Sequence, residues 1–170
     1  MDAEHAIRTR RTHKAYRPEA VAPEIIAELL ELARWAPNHH LTNPWRFRVI
    51  GPEALERLKA AAGPEAAPKL DRAPTLIAAS AVPSPDDPVA AEEDLHATAA
   101  AVFAVLLGAH NRGLAAYWRT PGVLRTDEGR AALGIEPAET VVGLIYVGEP
   151  VQEQRPPERA APDAYVTWLD

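Results

Sequence analysis

Ten consecutive residues, Arg8-Thr9-Arg10-Arg11-Thr12-His13-Lys14-Ala15-Tyr16-Arg17, hold five of the chain's 18 lysines and arginines, although the formal net charge is -6. Guanidinium forks set beside a hydroxyl suit a phosphate, because charge-assisted, bidentate bonds to its oxygens are about twice as strong as neutral ones. We read this stretch as a small phosphate-binding site. Two other readings stand beside it. A short basic run can be a nucleic-acid arm, although the acidity of the whole chain opposes approach to a polyanion. It can also be a solvated helix end, where cations meet the negative pole of the helix dipole.

A second group of polar side chains lies in Trp35-Ala36-Pro37-Asn38-His39-His40-Leu41-Thr42-Asn43-Pro44-Trp45. Here a loop rich in Asn and His is held between tryptophan and proline edges, and it can present imidazole and amide groups to a ligand. His39 and His40 lack a third positioned Asp, Glu or His, so the pair does not make a zinc site. A third group, Trp118-Arg119-Thr120-Pro121-Gly122, places an arginine and a hydroxyl at the end of an apolar run, a second candidate anion contact.

These groups need a scaffold, and the composition permits one. The 170 residues suit a single domain spanning 1–170, and 47% hydrophobic with 25% charged residues is ordinary globular composition. The chain contains no cysteine, which excludes disulfides, thiol nucleophiles and thiolate metal sites, so redox chemistry would need a borrowed cofactor. There is neither a signal-like N-terminal pattern nor a stretch of about 18 uncharged apolar residues. The expected location is the cytoplasm, with no membrane partner.

The elements follow from periodicity and punctuation. A short helix over 3–9 delivers the basic stretch, and Pro18 closes that segment. Pro23 at a first helical position, with apolar residues from Ile25 to Ala36 at three-or-four spacing, predicts a helix that Pro37 ends. Strands are predicted over 46–50, 73–82, 114–119 and 139–148, the second and fourth with the continuous apolar character of buried strands. A surface helix covers 52–62, and a short helix lies at about 127–133. Ser84-Pro85-Asp86-Asp87 carries a cap residue, a proline and two acids, which predicts that a long helix starts there. From Ala97 to Ala109 this helix is apolar almost all round, so it is buried on most sides or shared with another subunit. The tail from Pro150 ends in Tyr165-Val166-Thr167-Trp168-Leu169, an apolar segment expected to dock, with a partner subunit as one surface for it.

The basic stretch, the Ala36-Pro37-Asn38-His39 loop running to Pro44-Trp45, Trp118-Arg119-Thr120, and the strand ending Tyr146-Val147-Gly148-Glu149-Pro150 occur in the order seen in the nitroreductase family. The chain most resembles its short YdjA-like branch, down to the tail Pro162-Asp163-Ala164-Tyr165-Val166-Thr167. The resemblance implies an α+β fold with a central mixed, mainly antiparallel sheet flanked by helices, in an intertwined homodimer that holds FMN at the subunit interface. It also implies NAD(P)H as reductant and ping-pong transfer of hydride through the flavin to an oxidised acceptor such as a nitroaromatic or quinone. A flavin-binding or storage protein with little turnover is the alternative.

By the same resemblance Arg10, Arg11 and Thr12 grip the phosphate and ribityl chain. Trp35 and His39 arrive from the other subunit, and Trp118, Arg119 and Thr120 contact the cofactor from the strand end. Lys14 and Asn43 are second-rank contacts, and no residue is assigned as catalytic acid or base. Three departures stand out. Thr12 replaces the usual Ser, Leu41 and Thr42 occupy the stretch where many members carry an Asn-x-Gln pair that meets the flavin ring, and the substrate-lining helices of larger members are reduced between 63 and 73. No G-x-G-x-x-G fingerprint is present, so no dedicated dinucleotide domain is expected.

Overall fold

The computed structural model describes residues 2–169. Helix α1 (Ala3–Thr9) is started by Asp2, whose carboxylate accepts from the His5 backbone N–H at 2.8 Å. It stops where Arg10 turns to φ -57°, ψ 130°. Helix α2 (Pro23–Ala33) has proline in its first turn and buries Ile26, Leu29 and Ala33, the face that its apolar spacing predicts. Strand β1 (Trp45–Val49) and helix α3 (Pro52–Ala62) follow, and the stretch after Gly63 holds only one 3-10 turn, Ala67–Lys69. The remaining elements are strand β2 (Thr75–Ala81), helix α4 (Pro88–Asn111), strand β3 (Ala115–Arg119), helix α5 (Asp127–Ala132) and strand β4 (Thr140–Gly148).

The four strands form one sheet in the order β1-β2-β4-β3, every neighbour antiparallel. Its parallel component is one bridge outside the strands, from Thr12 to Ala116. All seven residues of β2 are buried, as a central strand covered on both faces requires. One face packs on α2 and α4 through Leu29, Val102, Val105, Ile77 and Ile145. The opposite face packs on α3, α5 and the 3-10 turn Gly122–Arg125 through Leu58, Leu124, Leu144 and Tyr146. The expected α+β layering is therefore the observed one.

The start of α4 differs from the sequence expectation. Its cap is Asp87, whose carboxylate accepts from the N–H groups of Val89 and Ala90, with Pro88 in the first turn. Ser84 lies outside the helix because its N–H and hydroxyl both reach the buried Asp94. Two adjacent cap-like patterns compete in this stretch, and a contact ten residues away in sequence decides between them.

A second buried acid fixes the sheet. Glu139 accepts a bidentate pair from Arg48 at 2.6 and 2.9 Å, a bond from the Ser80 hydroxyl, and the Glu136 N–H at 3.1 Å. Burial raises its pKa, but these bonds outweigh burial and hold it at about 2, below the ordinary 4.5. A depressed folded pKa adds stability that is present above the unfolded value and lost as pH falls toward the folded one. Glu139→Gln should therefore lower stability near neutral pH by about 3 kcal/mol, the scale set by breaking a buried ion pair. It should also flatten the loss of stability between pH 4.5 and about 2, read by urea unfolding across that range. A variant that keeps the wild-type acid limb would assign that limb to other groups.

Candidate functional site

The basic stretch leaves α1 at its C-terminal end and runs beside β3. The His13 N–H donates to the Ala116 carbonyl at 3.3 Å, and the Tyr16 hydroxyl donates to the His13 carbonyl at 2.7 Å. These bonds hold Thr12, which is solvent-exposed, against the strand that ends in Trp118 and Arg119. The basic stretch and the strand that carries the third sequence group are therefore neighbours in the fold.

Arg10 lines a cavity of about 440 Å³ with Arg8, Arg11, Phe103 and Arg159. Arg8 is paired with Glu4 at 2.8 Å, and both side chains are solvent-exposed. Arg11 donates to the carbonyls of Arg8 and Arg10 at 2.6 and 2.9 Å, so part of its guanidinium braces the turn. Burial, then repulsion from Arg159 and Arg11, lowers the pKa of Arg10. No carboxylate lines this cavity among the described residues. Arg10, Arg11 and Arg159, cations that repel one another where no carboxylate lines the cavity, are a candidate site for an anion. Arg159 was legible only as one basic residue in a proline-rich tail, and it reaches the cluster from almost 150 positions away.

Two histidines adjoin the cluster. Thr9 donates its hydroxyl proton to the His5 carbonyl at 2.6 Å, so the contact of 2.8 Å between Thr9 Oγ1 and His110 Nε2 requires the imidazole to donate. Burial and the neighbouring positive groups lower the pKa of both His13 and His110.

Trp118 and Arg119 point to opposite faces of the sheet. Trp118 Nε1 donates to the Val142 carbonyl at 3.1 Å. Val142 is the extra residue of a bulge between β2 and β4, where Ala79 pairs with Gly143 and Ser80 with Val141. Gly143 is required there, because a Cβ would collide with Trp118 Nε1. The indole thus serves packing at the strand end. The Arg119 guanidinium lies 5.8 Å from the centre of the Tyr146 ring, and its Nη1 is buried without a hydrogen-bond partner. Thr120 follows on the surface.

The remaining candidates are not beside Arg10. Trp35 is 76% exposed. His39 Nδ1 lies 2.6 Å from Glu93 Oε2, near the start of α4. Thr9, one residue before Arg10, is tied to His110 at the end of the same helix. His110 lies 17 helical steps after Glu93 (110 − 93), roughly 25 Å at about 1.5 Å per step. Within one subunit His39 and the basic stretch are therefore tied to opposite ends of α4, whereas α2, which leads into Trp35, packs Leu32 beside Gly108. Lys14 is exposed, and the Asn43 side-chain amide donates to the Leu41 carbonyl at 2.6 Å, which closes its own turn.

The loop carrying His39 is strained. His40, Leu41 and Asn43 have φ of 50°, 53° and 48°, the left-handed region where a non-glycine residue costs about 1 kcal/mol or more. Such strain persists only where surrounding contacts over-determine the conformation, and it concentrates at functional sites.

The sequence model of the nitroreductase family matches residues 7–149, most of the chain. The chain belongs to the nitroreductase family. YfhC of Bacillus subtilis (strain 168), named as an NAD(P)H nitroreductase, is 27% identical over 160 residues, which cover 85% of this chain and 82% of that one. YdjA of Escherichia coli (strain K12), named likewise, is 28% identical over 163 residues, covering 88% and 89%. Among solved structures, a nitroreductase-like family protein from Bacillus cereus superposes with a TM-score of 0.90 at 22% identity, over 100% of this chain and 97% of that one. A protein of Desulfovibrio desulfuricans named as a nitroreductase and solved in complex with FMN gives 0.79 at 27% identity, over 98% and 96%. The nitroreductase fold is thus shared over the full length, tail included.

The arginine cluster makes a prediction of its own. Inorganic phosphate at about 100 times its Kd should stabilise the protein by about 2.7 kcal/mol. Arg10→Ala should remove most of that shift, and Arg159→Ala part of it, in thermal unfolding with chloride as the control. Equal stabilisation of the wild type and both variants would show that the cluster is not the site.

Proposed function

We propose that this nitroreductase-family chain is an FMN-dependent NAD(P)H oxidoreductase, working as a homodimer whose two sites are each built from both subunits. The single observation that carries this reading is the arginine cluster with no carboxylate lining it among the described residues, around the segment that Thr12 bridges to β3. It fits the phosphate of FMN, the cofactor named for the Desulfovibrio desulfuricans relative. Bound FMN would supply hydride acceptance from NAD(P)H and hydride delivery to an acceptor such as a nitroaromatic or quinone, in alternating half-reactions.

The chain's own residues would bind and orient. Arg10, Arg11 and Arg159 hold the phosphate, and the exposed Thr12 hydroxyl reaches the phosphate or ribityl chain. Thr120 and the backbone of Trp118 and Arg119 border the flavin, with the Trp118 side chain fixing that strand end from below. Trp35 and His39 come from the partner: the His39 bond to Glu93 sets that imidazole roughly 25 Å along α4 from the His110 end that holds the same subunit's cluster. Trp35, Tyr165, Trp168 and Leu169 are 76%, 71%, 90% and 90% exposed in one chain, apolar area that a second copy would cover and dry. No residue is assigned to proton transfer.

Arg10→Ala should raise the Kd for FMN by about ten- to a hundredfold, the equivalent of one charged hydrogen bond of about 1.5 to 3 kcal/mol. Its unfolding midpoint without FMN should stay within a few degrees of the wild type. Unchanged FMN affinity would contradict the proposed phosphate site. Deleting residues 162–170 should convert the dimer to monomers in analytical ultracentrifugation and weaken FMN binding, whereas an intact dimer would place the subunit contact elsewhere.

A further inference from the structure

Two neighbouring acids of α4 grip the strained loop. Asp94, only 3% exposed, accepts from the Thr42 hydroxyl on one oxygen at 2.7 Å. Its other oxygen accepts the Ser84 N–H at 2.9 Å and the Ser84 hydroxyl at 2.8 Å. Glu93 takes His39 three residues before Thr42. The loop's internal bonds, Asn43 N–H to the Asn38 side-chain oxygen at 2.9 Å and Thr42 N–H to the His39 carbonyl at 3.2 Å, close the turn but do not attach it to the body. Attachment to α4 therefore rests on Glu93 and Asp94. Of the two contacts the Asp94 one is the stronger anchor, because its carboxylate is buried while both side chains of the His39–Glu93 pair are largely exposed.

The same contact explains a departure in the sequence. The Thr42 hydroxyl is spent on Asp94, and Leu41 is 75% exposed, so neither side chain acts as a polar group held ready for a ligand. What the pair fixes is the backbone: Thr42, with φ of -61°, sits between the left-handed His40 and Leu41 on one side and Asn43 on the other, and the turn they make sets how His39 and Leu41 face outward.

We propose that Asp94 and Thr42 form a positioning pair that sets the reach of the 35–43 loop into the partner subunit's cofactor site. This rests on the shared-site reading above. Neither residue touches the cofactor; both act through the loop. Burial alone would raise the pKa of Asp94, and the bonds from Thr42 and Ser84 lower it below the ordinary carboxylate value, so the acceptor stays ionised at neutral pH.

The test uses full-length dimer with three substitutions, Thr42→Val, Thr42→Ser and Asp94→Asn, and two readouts. One is the Kd for FMN by flavin fluorescence titration. The other is amide hydrogen exchange of residues 38–43 without FMN, which reads the loop whether or not the cofactor binds. Thr42→Val should speed exchange in the loop at least tenfold and raise the FMN Kd about tenfold, with the unfolding midpoint nearly unchanged. Thr42→Ser, which keeps the hydroxyl, should restore both, and Asp94→Asn should fall between. Thr42→Val with wild-type exchange, or with fast exchange and wild-type FMN affinity, would overturn the pair's role while leaving the oxidoreductase reading intact. Wild-type protein that binds no FMN would overturn that reading and this one together.

Discussion

Helix α4 sets the geometry on which the rest depends. Its 24 residues, about 36 Å at 1.5 Å each, run through the core with Val102, Val105 and Ala109 fully buried. At its start Glu93 and Asp94 hold the His39 loop, and at its end His110 holds Thr9 and with it the basic stretch. With a rigid spacer of that length, the proposed shared site takes one end from each of two copies. The chemistry proposed for the chain and its proposed dimerisation thus follow from one structural constraint.

Charge supplies the second constraint. The chain carries a net charge of -6, yet Arg10, Arg11 and Arg159 converge where, among the described residues, no carboxylate lines the cavity. Several cations elsewhere are matched: Arg48 by Glu139, Arg112 by Glu28, Lys59 by Asp71 and Glu56. Matched pairs consume charge in building the fold, whereas the unmatched cluster leaves it available for a ligand. Folding stability and ligand affinity should accordingly separate on mutation, with Glu139 acting on the first and Arg10 on the second.

Much of this was legible in the sequence where the signal is local. The apolar run of β2, the three-or-four spacing of α2 and the nearly all-round apolarity of α4 each report burial directly, and the structure places them accordingly. The basic stretch stood out by density alone. Contacts between distant residues were not legible. Asp94 reads as one of three consecutive acids on a helix, and nothing in its neighbourhood says that Thr42, 52 residues earlier, will meet it. Arg159 likewise gains meaning only when the tail folds back toward Arg10. Ser84 was misplaced as a helix cap for the same reason, since its partner was a side chain that the local pattern could not reveal. Trp118 shows the subtler case: position along the strand was predictable, but the bulge at Val142 that captures its indole was not.

The most direct measurement is the visible absorption spectrum of the FMN-reconstituted dimer, recorded anaerobically before and after NADPH or NADH and again after adding a nitroaromatic or quinone. The oxidoreductase assignment predicts a flavin band that bleaches with at least one nicotinamide and returns with the acceptor. A bound band that neither nicotinamide bleaches would contradict it and identify a flavin carrier, and failure to retain FMN would remove the cofactor from the site altogether.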